Sequence, residues 1–290
     1  MGESMSLRRN ELVLDPGFQA DLRATFGPGD PFEQVMALDG EVVRAVDGRR
    51  TFRFELAGRA YFAKLHTGMP WPRILRKLSQ FRVPVLGAEP EWRAIHRLQA
   101  LGVATTPPVA FGVRRGLNPA RERSFVITRD LGHTHTLEQE CLRWPEAPPA
   151  YTFRVKLIRE VARIARTLHA DGMNHRDFYL CHFRLDLNDD PPAVLAGRHS
   201  PRLYLMDLHR VQRHQSLPER ARVKDIGGLY FSALDIGLTR RDLLRFMRAY
   251  RGTTLRRTLA ADRTFWQQVA ERARWQYRRE HGHGPEGLPL

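Results

Sequence analysis

The sequence predicts an α+β protein in two parts: short antiparallel strands with one helix up to about residue 130, then a mostly helical remainder. Three observations lead there. Runs rich in Val, Phe and Tyr, separated by turn dipeptides, fill the stretch before residue 67. A long segment from Phe153 repeats its apolar residues at three-to-four spacing. Helix-like sequence then occupies residues 219–277.

Taken in order, Glu41–Val46, Thr51–Leu56 and Arg59–His66 read as three strands. Asp47-Gly48 and Ala57-Gly58 join them as hairpin turns, because glycine supplies the positive φ such turns need. A basic linker with Pro70, Trp71 and Pro72 follows. Glu89–Leu101 reads as a helix: Trp92, Ile95, Leu98 and Leu101 share a face, and Gly102 stops it. Val109–Val113 and Ser124–Thr128 are two more strands. Phe153–His169 is a long amphipathic helix with Leu157, Ile158, Val161, Ile164, Ala165 and Leu168 on one side, ended by Asp171-Gly172. A Pro-rich loop, Asp189–Arg202, leads into a short apolar strand, Leu203–Met206. The expected organisation is an N-terminal extension over 1–34, a strand-rich part over 35–130, a helical part over 131–277 and a disordered tail over 278–290.

Composition narrows the class. The chain has 290 residues and a formal net charge of +15, with 47 basic residues of which all but Lys64, Lys77, Lys156 and Lys224 are arginine. Arginine's planar fork suits phosphate and carboxylate, so an anionic partner is expected; codon bias alone explains Arg over Lys but not the shortage of acidic residues. Two cysteines, Cys141 and Cys181, give no disulfide framework and point to a reducing compartment. No secretory h-region or membrane-length apolar stretch is seen, and Met1–Ser6 fits only the short myristoylation pattern. A cytosolic protein is expected, with any membrane contact peripheral.

The chemistry sits at Asn174-His175-Arg176-Asp177, directly after the long helix. A His-Arg-Asp tripeptide alone says little in a chain so rich in Arg and His. Its context says more. Tyr61-Phe62-Ala63-Lys64 places a lysine on the third strand, Glu91 opens the next helix, and Asp207 ends the apolar run Leu203-Tyr204-Leu205-Met206. Phosphoryl transfer to a hydroxyl needs these parts in this order: a strand lysine for the α/β-phosphates, a helix carboxylate to hold it, a loop aspartate for the hydroxyl proton, and a strand-end aspartate for magnesium. The fold class thereby sharpens to a protein-kinase-like bilobal fold, with ATP and Mg2+ as cofactors. Lys64 and Glu91 are the nucleotide-binding candidates, Asp207 the metal ligand, and His175, Arg176, Asp177 and His182 the catalytic-loop candidates. Glu89 rivals Glu91, but Glu91 is in phase with Ile95 and Leu98. A zinc site from His175, Cys181 and His182 lacks the required spacing.

The block from Asn174 through Asp177-Phe178-Tyr179-Leu180-Cys181-His182-Phe183 resembles the catalytic loop of the bacterial lipopolysaccharide core heptose kinases, relatives of the Kdo kinases. Similar segments are Gly48–Phe54, Tyr61–His66, Pro84–Glu89, Glu91–Ile95 and Asp207–Gln212. The resemblance runs from about residue 35 to 250. It implies ATP- and magnesium-dependent phosphorylation of an inner-core heptose on a lipid-A-linked oligosaccharide, peripherally at the cytoplasmic face of the inner membrane.

Departures from the wider kinase pattern are specific. His182 stands where an Asn second metal ligand is usual, and imidazole suits magnesium poorly. The metal motif is Asp-Leu-His, and the phosphate-covering turn has Gly40 and Gly48 without a G-x-G-x-x-G, leaving Arg49 or Arg50 to replace backbone contacts. Alternatives are a Kdo, other small-molecule or protein kinase, a pseudokinase scaffold, and a nucleic-acid binder. A scaffold would bind ATP without transfer. A nucleic-acid binder would show steeply salt-dependent affinity indifferent to ATP, and no recognition motif supports it.

Overall fold

The structure is a computed structural model that describes residues 10–46, 48–79, 87–116 and 118–285. The acylation pattern at the N-terminus, Asp47, the Pro84-Val85-Leu86 part of the motif segment and the last five residues lie outside them. The chain divides into two compact units. The first holds the chain up to His96 and Thr106–Asp130; the second holds Arg97–Thr105 and everything from Leu131.

In the first unit, β1 (Glu11–Leu14), α1 (Pro16–Phe26) and α2 (Pro31–Met36) precede the expected strands. Then come β2 (Glu41–Val46), β3 (Arg49–Leu56), β4 (Arg59–His66), α3 (Trp71–Ser79), α4 (Glu89–Ala100), β5 (Pro108–Arg114) and β6 (Arg123–Arg129). One antiparallel sheet runs β1-β5-β6-β4-β3-β2. Residues expected as an N-terminal extension are thus part of this unit from residue 10 onward. β1 completes the sheet on β5, while Phe18, Leu22, Phe32 and Val35 pack into its core with Tyr61, Ala63, Leu65 and Phe125. Both short helices start on an Asp-Pro pair: the Asp15 and Asp30 carboxylates accept from backbone N–H groups of the first turn. The expected linker at Trp71 is helical, since a proline at the second position needs no N–H partner there.

The second unit begins with the end of α4. Leu205 N–H donates to the Ala104 carbonyl at 2.9 Å, and Arg97 pairs with Asp171. Next are β7 (Thr134–Thr136), α5 (Leu137–Cys141), α6 (Tyr151–Ala170), β8 (Met173–Asn174), β9 (Phe183–Asp186), α7 (Pro191–Leu195), β10 (Leu203–Leu205) and β11 (Gln212–Arg213). Four helices follow: α8 (Glu219–Phe231), α9 (Arg240–Arg251), α10 (Leu255–Ala261) and α11 (Arg263–His281). β10-β9-β7 form a small antiparallel sheet, and β8 pairs with β11. α6 buries Leu157, Val161, Ile164, Ala165 and Leu168 of the stripe its periodicity predicts, with Phe153 added, while Ile158 is only half-buried. The Pro-rich loop contains a turn of helix, α7, capped by Asp190. α11 continues to His281 and stops at Gly282, so the expected tail boundary at 278 falls within its last turn. Among the described residues no helix is long and apolar enough to cross a membrane.

Candidate active site

Lys64 lies on β4, between Thr51 of β3 and Val126 of β6. Strand alternation sends Tyr61, Ala63 and Leu65 into the core and Lys64 to the opposite face. There its ammonium meets Glu91 Oε1 at 2.5 Å. Glu91 is buried, and its Oε2 has no hydrogen-bond partner among the described residues. The rival Glu89 is engaged elsewhere, by Arg93 and Arg115. Arg50, one candidate for covering phosphates, is tied to Asp39 at 3.0 Å and to the Leu38 carbonyl at 2.8 Å. Arg49 has no such tie among the described residues. Gly48 (φ +75°) serves the backbone: an added Cβ would come within 1.9 Å of the Gly68 carbonyl.

In the second unit the loop after β8 is built around a buried carboxylate. Asp225, on α8, accepts from the His175 N–H at 2.6 Å and the Arg176 N–H at 2.8 Å. His169 Nε2–H reaches the same group at 3.4 Å. α8 comes this close because it has Gly228, where an added Cβ would lie 3.1 Å from the Tyr179 ring. Ser232 accepts from the Leu180 N–H at 3.0 Å, and Gln276 donates to the Tyr179 hydroxyl at 3.1 Å. Arg176 (φ +75°) and Asp207 (φ +58°) are left-handed. For non-glycine residues this costs on the order of 1 kcal/mol each, and the surrounding bonds hold it.

His175 was expected among the catalytic side chains; its position corrects that. It is fully buried and cannot touch a substrate. Its Nε2–H donates to the Met206 carbonyl at 2.9 Å, while Nδ1 has no hydrogen-bond partner among the described residues. Burial holds its pKa below the ordinary imidazole value, so the ring is neutral and joins the loop to the residue before Asp207. His182 plays a comparable part. Its Nδ1–H donates to the Asp177 carbonyl at 2.7 Å, closing the loop, and Nε2 lies 3.6 Å from Asp207 Oδ2.

Asp177 itself is partly exposed, and one Nη of Arg210 lies 2.7 Å from both of its carboxylate oxygens. Asp207 Oδ1 meets His209 Nδ1 at 2.5 Å. Magnesium is commonly held by one or two carboxylates together with substrate phosphates. Asp207 therefore has the chemistry for it, and the imidazoles of His182 and His209 do not. The structure thus brings Lys64 to Glu91, and it gathers His175, Arg176, Asp177, His182 and Asp207 around one loop. Sequence reasoning missed Asp225 and Arg210. Asp225 had a signal, a lone acid opening the small apolar stretch Ile226-Gly227-Gly228-Leu229; Arg210 had only its nearness to Asp207.

Known proteins point the same way. The curated lipopolysaccharide core heptose(I) kinase WaaP of Pseudomonas aeruginosa is 45% identical over 273 residues, covering 94% of this chain and 98% of that protein. The Escherichia coli protein of the same name is 44% identical over 245 residues, covering 84% and 90%. A solved structure of WaaP in complex with acyl carrier protein has a TM-score of 0.76 at 41% identity, covering 92% of this chain and 99% of that one. Residues 33–250 match the model of the lipopolysaccharide kinase (Kdo/WaaP) family. With its antiparallel strand-rich unit, its helical unit and this loop, the chain belongs to the lipopolysaccharide kinase (Kdo/WaaP) family.

Proposed function

We propose that the protein transfers the γ-phosphoryl group of ATP to a hydroxyl of a heptose in the lipopolysaccharide inner core. One observation supports this above the rest: Asp177, partly exposed, is presented on a loop fixed through Asp225, in a chain 45% identical to a core heptose(I) kinase. The acceptor hydroxyl hydrogen-bonds to the Asp177 carboxylate. As its oxygen forms the new bond to γ-phosphorus, the bond to the β-bridging oxygen breaks and ADP departs. The hydroxyl proton passes to Asp177, and Arg210 offsets charge at that carboxylate. Lys64, fixed by Glu91, is the cation for the nucleotide α/β-phosphates. Asp207 would hold magnesium, which when bound offsets charge on the phosphates. His182 orients the loop through the Asp177 carbonyl. With a net charge of +15, the protein is suited to peripheral contact with the anionic cytoplasmic face of the inner membrane.

Incubation with labelled ATP, magnesium and lipopolysaccharide from a strain lacking core phosphate tests the reading. Label is expected in the core saccharide. ATP binding without transfer to any saccharide would favour a scaffold instead. A second reading concerns a partner. Because the similar WaaP structure is a complex with acyl carrier protein, we propose such a carrier as a partner here. Co-purification with tagged acyl carrier protein is the expected result, and its absence at micromolar concentrations counts against it.

A further inference from the structure

The second unit has a concavity of about 810 Å³ that the proposed reaction does not use. The end of α6, the segment after β11, the start of α8 and the end of α9 form its walls. Arg166, Arg213, Arg222 and Arg251 line it, and among the described residues the only carboxylate in its lining is Asp171. That carboxylate is already engaged by Arg97 and by Arg213 at 3.1 Å, and Arg251 pairs with Asp262 at 2.9 Å. Arg166 and Arg222 remain. Arg222 donates to the Leu217 carbonyl at 3.3 Å, and neither residue has an ion-pair partner among the described residues.

Arg166 and Arg213 are exposed, whereas Arg222 and Arg251 are half-buried. The Nε groups of Arg222 and Arg251 are buried without a hydrogen-bond partner, and each such donor costs about 1–3 kcal/mol unless something accepts from it. Guanidinium groups gathered in a concavity also repel one another and focus a positive potential there. An anion with several oxygens relieves that repulsion, and the fork geometry matches phosphate. The volume falls in the range of small-ligand sites, roughly 300–1,000 Å³. Below the arginines, Tyr250 donates to His169 Nδ1 at 2.7 Å, and His169 reaches Asp225, the carboxylate that holds the His175 and Arg176 amides. Burial pushes the Tyr250 phenol up to about 12, so it remains a neutral donor.

We propose that this concavity binds a small soluble phosphate ester, gripped by Arg166 and Arg222 with Arg213 and Arg251 at its margins. Calorimetric titration of the full chain with inorganic pyrophosphate, without magnesium, tests it. The Lys64→Ala background removes the nucleotide-phosphate cation, and no acceptor or turnover is needed, so the result is independent of the proposed kinase reaction. One saturable site is expected, weakened at least tenfold by Arg166→Glu and by Arg222→Gln. The same charge reversal outside the concavity, Arg256→Glu, should change affinity less than twofold. Arg166 is exposed, so Arg166→Glu should fold even if Arg222→Gln does not, and it then decides alone. Unchanged affinity in folded Arg166→Glu, equal losses in Arg166→Glu and Arg256→Glu, or no saturable binding at all would overturn the proposal.

Discussion

Lys64 and Asp177 are held by opposite means. Lys64 sits inside a sheet, where alternation along β4 fixes the direction of its side chain and one carboxylate fixes its end. Asp177 sits in a loop with no such periodicity. Its place is set by bonds to backbone: Asp225 to two amides, His182 to the Asp177 carbonyl, His175 to the Met206 carbonyl. A regular element orients a functional group through its own ladder. An irregular one needs buried polar groups from elsewhere in the chain, and each is a point of failure.

The largest stability effect is therefore expected at Asp225, which never meets substrate in the proposed reaction. Asp225→Ala strands one buried and one half-buried amide and should cost about 2–5 kcal/mol by denaturant unfolding. Glu91→Ala, by contrast, should cost under about 2 kcal/mol, because Lys64 stays partly exposed and can hydrate. Equal losses would break the contrast between loop and sheet. For activity, Lys64→Met should keep its fold and lower kcat/KM about 100-fold, measured by steady-state kinetics. A smaller change is expected at Arg210. Arg210→Ala should reduce kcat about tenfold with little effect on the KM for ATP, and Arg210→Lys should recover part of it. If KM alone rises, Arg210 belongs to nucleotide binding and not to Asp177.

The smallest expected effect is a pH dependence. Burial lowers the His175 pKa, so the folded protein takes up this proton at lower pH than the unfolded chain does. Its contribution is complete above about pH 6.5 and is lost as pH falls from there toward the folded value. His175→Asn should remove up to about 1.4 kcal/mol per pH unit of that acid slope in unfolding titrations. An unchanged slope would mean that the ring is not held neutral.

This contrast also accounts for what the sequence made legible. β2 to β6, α4 and α6 could be read because their residues repeat with the period of the element that contains them. Lys64, Glu91, Asp177 and Asp207 are singled out because phosphoryl transfer prescribes parts in that order. Asp15-Pro16 and Asp30-Pro31 mark the starts of α1 and α2, but β1 before them is only four residues long and pairs with a strand about 100 positions away, so the segment reads as an extension. α3 was hidden by prolines at 70 and 72, which suggested a linker. Asp225 lies 50 positions from the amide it receives at His175, so no local pattern could announce it. His175 misled for a related reason: a tripeptide shows which residues are adjacent, not which of them is buried.

The most direct test is a single-turnover measurement of phosphoryl transfer to lipopolysaccharide core saccharide at saturating ATP, comparing the natural protein with Asp177→Asn. ATP affinity should stay within about threefold while the transfer rate falls by about 10²–10⁴-fold, the usual contribution of a positioned general base. Transfer at an undiminished rate in a folded Asp177→Asn protein would contradict the assignment of this loop.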